Sequence, residues 1–399
     1  MKTRSIEAFL LILSFVSCEV ISPEIPGTVE EEPVVSLIEV AQILSAIPIG
    51  EEQMSEVFSA VTSSSGNGYD EEYTMKDLFS TPGAGVGDDE LGTKAPEFSN
   101  PMKGLIEGYL IEKFTTKSGK ADIDAVQRYI DDLASSDVQI YWPFSEDWDR
   151  ETMPVITFDP RSSAENNIGY MVVEQEDGTR VIEEMIVNEE VAKNRPVWVV
   201  NRNDDSGHKS LDMLRKENPD WGLGGDILVK SGSDFSTKSG ADDYKMLVLK
   251  EFCALRNFDS WFGGASEFFV KCGAVEGFTA STEAEMRLYS PSVTDFMIVV
   301  KRRDIKKSIP FNAVLIADLS DQLEKFAFLV TEDDGGTVTS WKTTAVVKVN
   351  SKSYGIELEI PYRDRDDIVW RGTLPINYFE KYSGQVGHFG DVDLVFEIM

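Results

Sequence analysis

Apolar positions along the first third of the chain recur every three to four residues, and along the remainder every second residue. Leu37, Ala41 and Leu44 share one helical face and Met54, Val57, Phe58 and Val61 another, so residues 36 to 62 are expected to form two short helices. The helical period returns over residues 101 to 116 and, more sharply, over 122 to 134, where Ile123, Val126, Ile130 and Leu133 align and Asp122 stands at the N-cap position. Between these stretches the Gly, Pro and Ser content of SSSGNG and STPGAGVGDDELGTKAP breaks the pattern, so residues 63 to 100 are expected to be a flexible loop, mobile around 80 to 98, acting as a linker or as a protease-sensitive lid.

From Val138 the period is two. Runs at 138–142, 155–158, 170–173 and 197–200 read as strands, and Asp177-Gly178 between MVVEQ and RVIEEMIV predicts a hairpin. Lys245 to Leu255 and Glu267 to Val270 read as two more strands flanking NFDSWFGGAS, whose Gly263-Gly264 permits a tight backbone turn. Six further runs, at 296–301, 313–317, 326–330, 344–349, 354–360 and 392–398, are joined by turn-rich segments. The expected class is α+β: an irregular helical N-terminal part followed by mostly antiparallel β structure, ending in a β-sandwich. The expected divisions are a helical region 36–137, a β-rich middle region 138–284 and a C-terminal sandwich 285–399.

The extreme N-terminus follows a different rule. Lys2 and Arg4 precede the apolar run from Ala8 to Val16, which is too short to span a bilayer and reads as an export signal over residues 1–17. Phe15-Val16-Ser17-Cys18 resembles the lipobox of bacterial lipoproteins. That resemblance implies diacylation of the Cys18 sulfur, a mature chain beginning at Cys18, and anchoring on the periplasmic or cell-surface side of an envelope membrane, the outer membrane included. The Pro- and Glu-rich segment EVISPEIPGTVEEEPV then reads as a charged, semi-extended tether within residues 18–35. An ordinary cleaved signal with free secretion is the alternative reading of the same run.

Charge excludes one class of partner. With 70 Asp and Glu against 38 Lys and Arg, the net charge of -32 leaves no basic face for a nucleic acid backbone. The longest basic runs, Lys301-Arg302-Arg303 and Lys306-Lys307, read as strand-end and turn charges.

Candidate chemistry is sparse. Catalysis by paired carboxylates, as in a glycosidase, would draw on Glu146, Asp147 or Asp149 beside Trp142 and Trp148. Calcium is the one cofactor the pattern suggests, through Asp333, Asp334, Asp364, Asp366, Asp367, Asp391 and Asp393 in C-terminal loops, because Ca2+ takes six to eight hard oxygen ligands. Trp142, Trp148, Trp261 and Trp370 are candidates for ligand contact. Nucleophilic chemistry would need Cys253 or Cys272 beside His208 or His388, and those cysteines could equally pair with each other or be small buried hydrophobes. Gly222-Leu223-Gly224-Gly225 precedes a strand-like run rather than a helix, so its glycines read as turn residues, not a phosphate cradle. The expectation is a non-catalytic envelope lipoprotein, held to the membrane by its lipid, whose β part binds a ligand, glycan or protein. The alternatives are a secreted hydrolase and a structural subunit of an envelope assembly, the latter marked by an edge strand open to a partner.

Overall fold

The structure, a computed structural model, describes residues 35–80, 98–116, 119–160, 164–175, 177–203, 207–217, 227–228 and 245–399. The expected export signal, Cys18, the tether to residue 34, the Gly222–Gly225 segment and residues 81–97 of the expected loop lie outside them.

Helices α1 (Leu37–Ala46) and α2 (Glu51–Gly66) form on the expected apolar faces. The glycines of SSSGNG end α2 and do not start a long coil, because Gly68 turns the chain at φ +78°. Strand β1 (Glu72–Thr74) and helix α3 (Met75–Phe79) follow at once, the latter capped by Thr74, whose Oγ1 accepts the Asp77 N–H at 3.1 Å. The part of the expected loop up to residue 80 is therefore regular structure, a correction to the reading of 63–100. Helices α4 (Met102–Lys113) and α5 (Ile123–Ser135) follow, and Asp122 caps α5 by accepting the Ala125 N–H at 3.1 Å.

Six strands make the first sheet: β1, β2 (Val138–Tyr141), β3 (Val155–Phe158), β4 (Asn167–Glu174), β5 (Arg180–Val187) and, after the short helix α6 (Glu189–Asn194), β6 (Val197–Arg202). Their order is β1-β2-β6-β3-β4-β5, antiparallel except for β3 beside β6. The predicted hairpin joins β4 to β5, with Gly178 in the left-handed conformation at φ +79°. Val197 to Val200 are apolar without alternation because β6 is covered on both faces. Trp198 and Val200 face the helices, while Val197 and Val199 meet Trp261 and Phe262 from the other side.

After helix α7 (Leu211–Glu217) comes a two-sheet sandwich. One sheet runs β10 (Ile309–Ile316), β7 (Leu247–Ala254), β16 (Val392–Ile398), β15 (Val386–Phe389). The other runs β13 (Lys352–Arg363), β12 (Val338–Val349), β11 (Leu323–Glu332), β8 (Ser266–Ala274), β9 (Ser292–Val300), with β14 (Asp367–Pro375) also paired to β11. One apolar core fills the space between them, and α9 (Ile376–Tyr382) closes it by stacking Phe379 on Phe326 at 4.9 Å; α8 (Glu283–Met286) is a surface turn. The α+β class stands. The division at 284/285 falls inside the sandwich, since β7 and β8 hydrogen-bond to β16 and β11. Residues 35–399 form one unit, the first sheet being covered on its second face by the loop that leads into β8.

Candidate functional site

The most heavily charged interior region lies where the first sheet meets the sandwich. Asp70, Glu71 and Glu72 are consecutive and all buried. Asp70 accepts the Glu71 N–H on Oδ1 at 2.7 Å and the Ala265 N–H on Oδ2 at 2.9 Å, so one carboxylate ties β1 to the entry of β8. Gly264 allows this approach: at φ +136°, a Cβ there would lie 2.8 Å from Asp70 Oδ2. Ser145 Oγ donates to Glu71 at 3.1 Å, and Asn203 Nδ2 to Glu72 at 2.8 Å. Burial pushes the Glu71 carboxyl up to about 7, with Asp70 adding to the shift and Lys301, Ser145 and Arg303 opposing it. Burial raises Asp70 as well, against the hydrogen bonds it accepts and the charges of Lys301 and Arg302.

Lys301-Arg302-Arg303 supply the counter-charge. They do follow the end of β9; the Arg302 side chain then turns inward, while Arg303 stays exposed. Arg302, almost fully buried, pairs with Glu189 at 3.4 Å and donates to the carbonyls of Asp259 and Gly264, each at 3.4 Å. Arg303 pairs with Glu146, and Lys301 reaches Ser65 Oγ.

Beyond Arg302 lies a second acidic group. Carboxylate oxygens of Asp259, Glu267 and Glu332 come within 4.8 Å of one another, with Glu267 and Glu332 buried. Such hard oxygen donors suit a divalent cation or a shared proton. Burial pushes Asp259 up to about 6, with Glu332 and Arg302 opposing the shift and Asp334 and Asp70 adding to it. The pattern repeats one residue on. Asp333 takes the Arg363 guanidinium at 3.1 Å and shares a hydrogen bond with Asp366, whose carboxyl burial pushes up to about 6. His208 stacks edge-on against Phe269 at 4.8 Å, and its pKa is lowered by burial and by Arg363.

The residues singled out in the sequence fall elsewhere or do other work. Glu146 is bound to Arg303, Asp147 is exposed, and Asp149 caps its own turn through Thr152 and Glu151, which holds its carboxyl down at about 2. Trp142, Trp148 and Trp261 are buried, a correction to their reading as ligand contacts. Trp142 packs on Phe58, Trp148 and Trp198, and the indole N–H groups of Trp148 and Trp261 donate to the carbonyls of Thr152 and Glu165, each at 3.0 Å. Trp370 is half-buried with its ring on Phe389 at 5.0 Å. Of the calcium candidates, Asp333, Asp334, Asp366 and Asp367 are electrostatic neighbours, whereas Asp364 accepts the Thr337 N–H, Asp391 pairs with Arg256 and Asp393 with His388.

Strand register sets Cys253, Asp393 and His388 side by side across β7, β16 and β15, with His388 Nδ1 2.7 Å from Asp393 Oδ1. A Cys–His nucleophile needs the imidazole in contact with the thiol, and here the acid stands between them. Burial and Asp393 push the Cys253 thiol up, which disfavours the thiolate. Cys272 is buried, and both cysteines are free. An open depression of about 540 Å³ beside α9 is lined by Pro375, Asn377, Tyr378, Glu380, Lys381 and Tyr382, without a tryptophan.

Two signals were missed in the sequence. Asp70-Glu71-Glu72 lies in a Gly- and Ser-rich neighbourhood where an acidic run ordinarily means a solvated surface, and Asp259, Glu267 and Glu332 are separated by up to 73 positions. The Lys301-Arg302-Arg303 run, the longest basic stretch of an acidic chain, was the available clue that acids are buried somewhere. No family model, no curated protein and no solved structure matches the chain.

Proposed function

We propose that this protein is an exported, lipid-anchored envelope protein that works by docking a protein partner on its surface and performs no catalysis. The observation that carries the reading is an apolar face left open at the rim of the first sheet. Ile168, Ile182 and Ile186, on β4 and β5, are 41%, 46% and 62% exposed. Apolar side chains that stay in water next to one another mark interaction surfaces in exported proteins as elsewhere. Support also comes from the carboxylates: of the candidates Glu146, Asp147 and Asp149, the first is held in an ion pair and the last in a turn cap, and the buried acids stand beside Arg302 and Arg363. The lipobox-like Phe15-Val16-Ser17-Cys18 supports the anchor.

The test has two arms in one bacterial host. Intact mass and membrane partitioning are compared between the wild type and Cys18→Ala; the expected result is a diacylglyceryl mass on a chain beginning at Cys18, lost together with membrane association in the variant. A photo-crosslinking residue is then placed at position 186 and, as a control, at the exposed Lys342 of β12. Crosslinks to one envelope protein from position 186 alone support docking, and equal labelling from both positions overturns it.

A further inference from the structure

Every second residue of strand β5 faces outward along the rim of the first sheet: Arg180, Ile182, Glu184 and Ile186. Among the described residues β5 pairs with β4 alone, over its whole length. The Gln175 N–H donates to the Thr179 carbonyl at 2.8 Å, so in the antiparallel ladder the odd-numbered residues of β5 exchange hydrogen bonds with β4. The N–H and C=O groups of the four even-numbered residues therefore point away from the sheet, and their exposed side chains share one face with Glu174, Val172, Tyr170 and Ile168 across the hairpin. A long edge of this kind is a template for another strand.

The charges in the row decide which strand it takes. The antiparallel complement of Arg180-Ile182-Glu184, read in its own chain direction, is a base, an apolar residue and an acid, which is the row itself. Two copies related by a two-fold axis at Ile182 set Arg180 of each opposite Glu184 of the other, and Ile182 opposite Ile182. Ile186 then falls opposite Gly178 of the hairpin turn, where no side chain competes for the space, and on the reverse face Val181 falls opposite Glu183. No other axis from 180 to 185 pairs opposite charges. Centred on 180, 183 or 184, the pairing sets Arg180, Glu183 or Glu184 against its own mate, and like charges directly opposite are destabilising. Centred on 181 or 185, it leaves Arg180 opposite Ile182 or Glu184 opposite Ile186.

Neither charge is spent within one copy. Among the described residues Glu184 makes no ion pair, and the Arg180 guanidinium makes one long hydrogen bond, to the Ile49 carbonyl at 3.5 Å. The net charge of -32 on each copy repels at long range, but at about 0.15 M salt that repulsion is screened beyond about 8 Å, while groups paired across two strands lie inside that distance. We propose, resting on the reading of a surface-docking protein, that the partner at this face is a second copy of the chain: two β5 strands pair antiparallel about Ile182 and join the first sheets of two molecules into one continuous sheet, fastened by reciprocal Arg180–Glu184 contacts.

The experiment follows the full chain, purified as Cys18→Ala, by sedimentation equilibrium across the micromolar range at about 0.15 M salt. A monomer–dimer equilibrium is expected. Arg180→Glu and Glu184→Arg should each weaken it roughly tenfold or more, since each sets like charges opposite one another at both ends of the pairing. An equimolar mixture of the two variants should restore it, because acid then meets base at both ends, and restoration also shows that both variants are folded. Where a variant does not fold, a photo-crosslinking residue at position 182 of the otherwise unsubstituted chain takes its place and should link the two copies within residues 178–186. A monomer at every concentration, a dimer indifferent to the charge changes, a mixture as weak as its components, or crosslinks outside that window each overturns the β5 dimer. So does a purified monomer whose position 186 crosslinks in the cell to a different protein, an outcome that leaves surface docking standing. Equal labelling from positions 186 and 342 in the cell defeats docking itself, whatever the purified protein does.

Discussion

The interior of the sandwich and the seam at its end are both buried, yet opposite forces hold them. In the sandwich, Phe326, Phe328, Phe379 and Phe396 pack ring against ring with centroids 4.9 to 5.6 Å apart, and none of these rings carries an ionisable group. At the seam, Asp70, Glu71, Glu267 and Glu332 are buried and Asp259 is half-buried, with Arg302 donating to the Asp259 carbonyl beside them. Apolar burial adds area by area. A buried charge is tolerated only through its partners, so the seam stands or falls as a set.

The largest expected effect is on the seam. Arg302→Met leaves Glu189, Asp70 and Asp259 without their buried cation, and a loss of about 3–5 kcal/mol is expected in urea unfolding at pH 8, smaller at pH 5 where the acids take up protons. A loss of the same size at both pH values would show that Arg302 acts by packing. Next, Phe379→Ala empties the stack over Phe326 and Phe328, with an expected cost of about 3–4 kcal/mol that is the same at either pH. A pH-dependent cost there would erase the contrast between the regions.

Glu71→Gln sharpens the comparison. A carboxyl whose folded pKa is raised from 4.5 to about 7 binds more protons folded than unfolded. Its contribution to stability is full below the unfolded value and is lost as pH rises through about 7. Asp259 and Asp366, raised to about 6, act in the same direction. The protein should thus be more stable at pH 5 than at pH 8, and Glu71→Gln should narrow that gap by about 2 kcal/mol. An unchanged gap would assign the dependence to the remaining carboxyls. The smallest effect belongs to a helix far from either region: Asp122→Ala should cost about 1 kcal/mol through the lost cap of α5, read as a small shift of the denaturant midpoint.

Local signals in the sequence located most elements and few of their partners. Asp122 marked the start of α5 and Asp177-Gly178 the β4–β5 hairpin because caps and turns are decided within a few residues. Strand β14, which starts at the last residue of the acidic run 364–367, went unread because its pattern, DIVWRGTLP, lacks clean alternation. The assignment of β7 and β8 to the sandwich depends on pairing with β16 and β11, which no local pattern encodes. Trp142, Trp148 and Trp261 looked like binding groups and proved to be core, since aromatic rings carry the same sequence signature in either role. The seam was illegible for a similar reason: its acids are ordinary acids until the fold gathers them around Arg302.

Strand β7 lies between β10 and β16, so one of its two neighbours comes from about 140 positions further along the chain. Pairing over such a separation is slow, because the intervening chain must be gathered before the bonds can form. Cys253 sits on β7 opposite Asp393 of β16, and only when β16 arrives is its thiol half-covered and its acidity lowered. With Cys18 and Cys272 replaced by Ala, the rate at which Cys253 loses reactivity toward a thiol reagent during refolding is a built-in clock for the docking of β16 on β7.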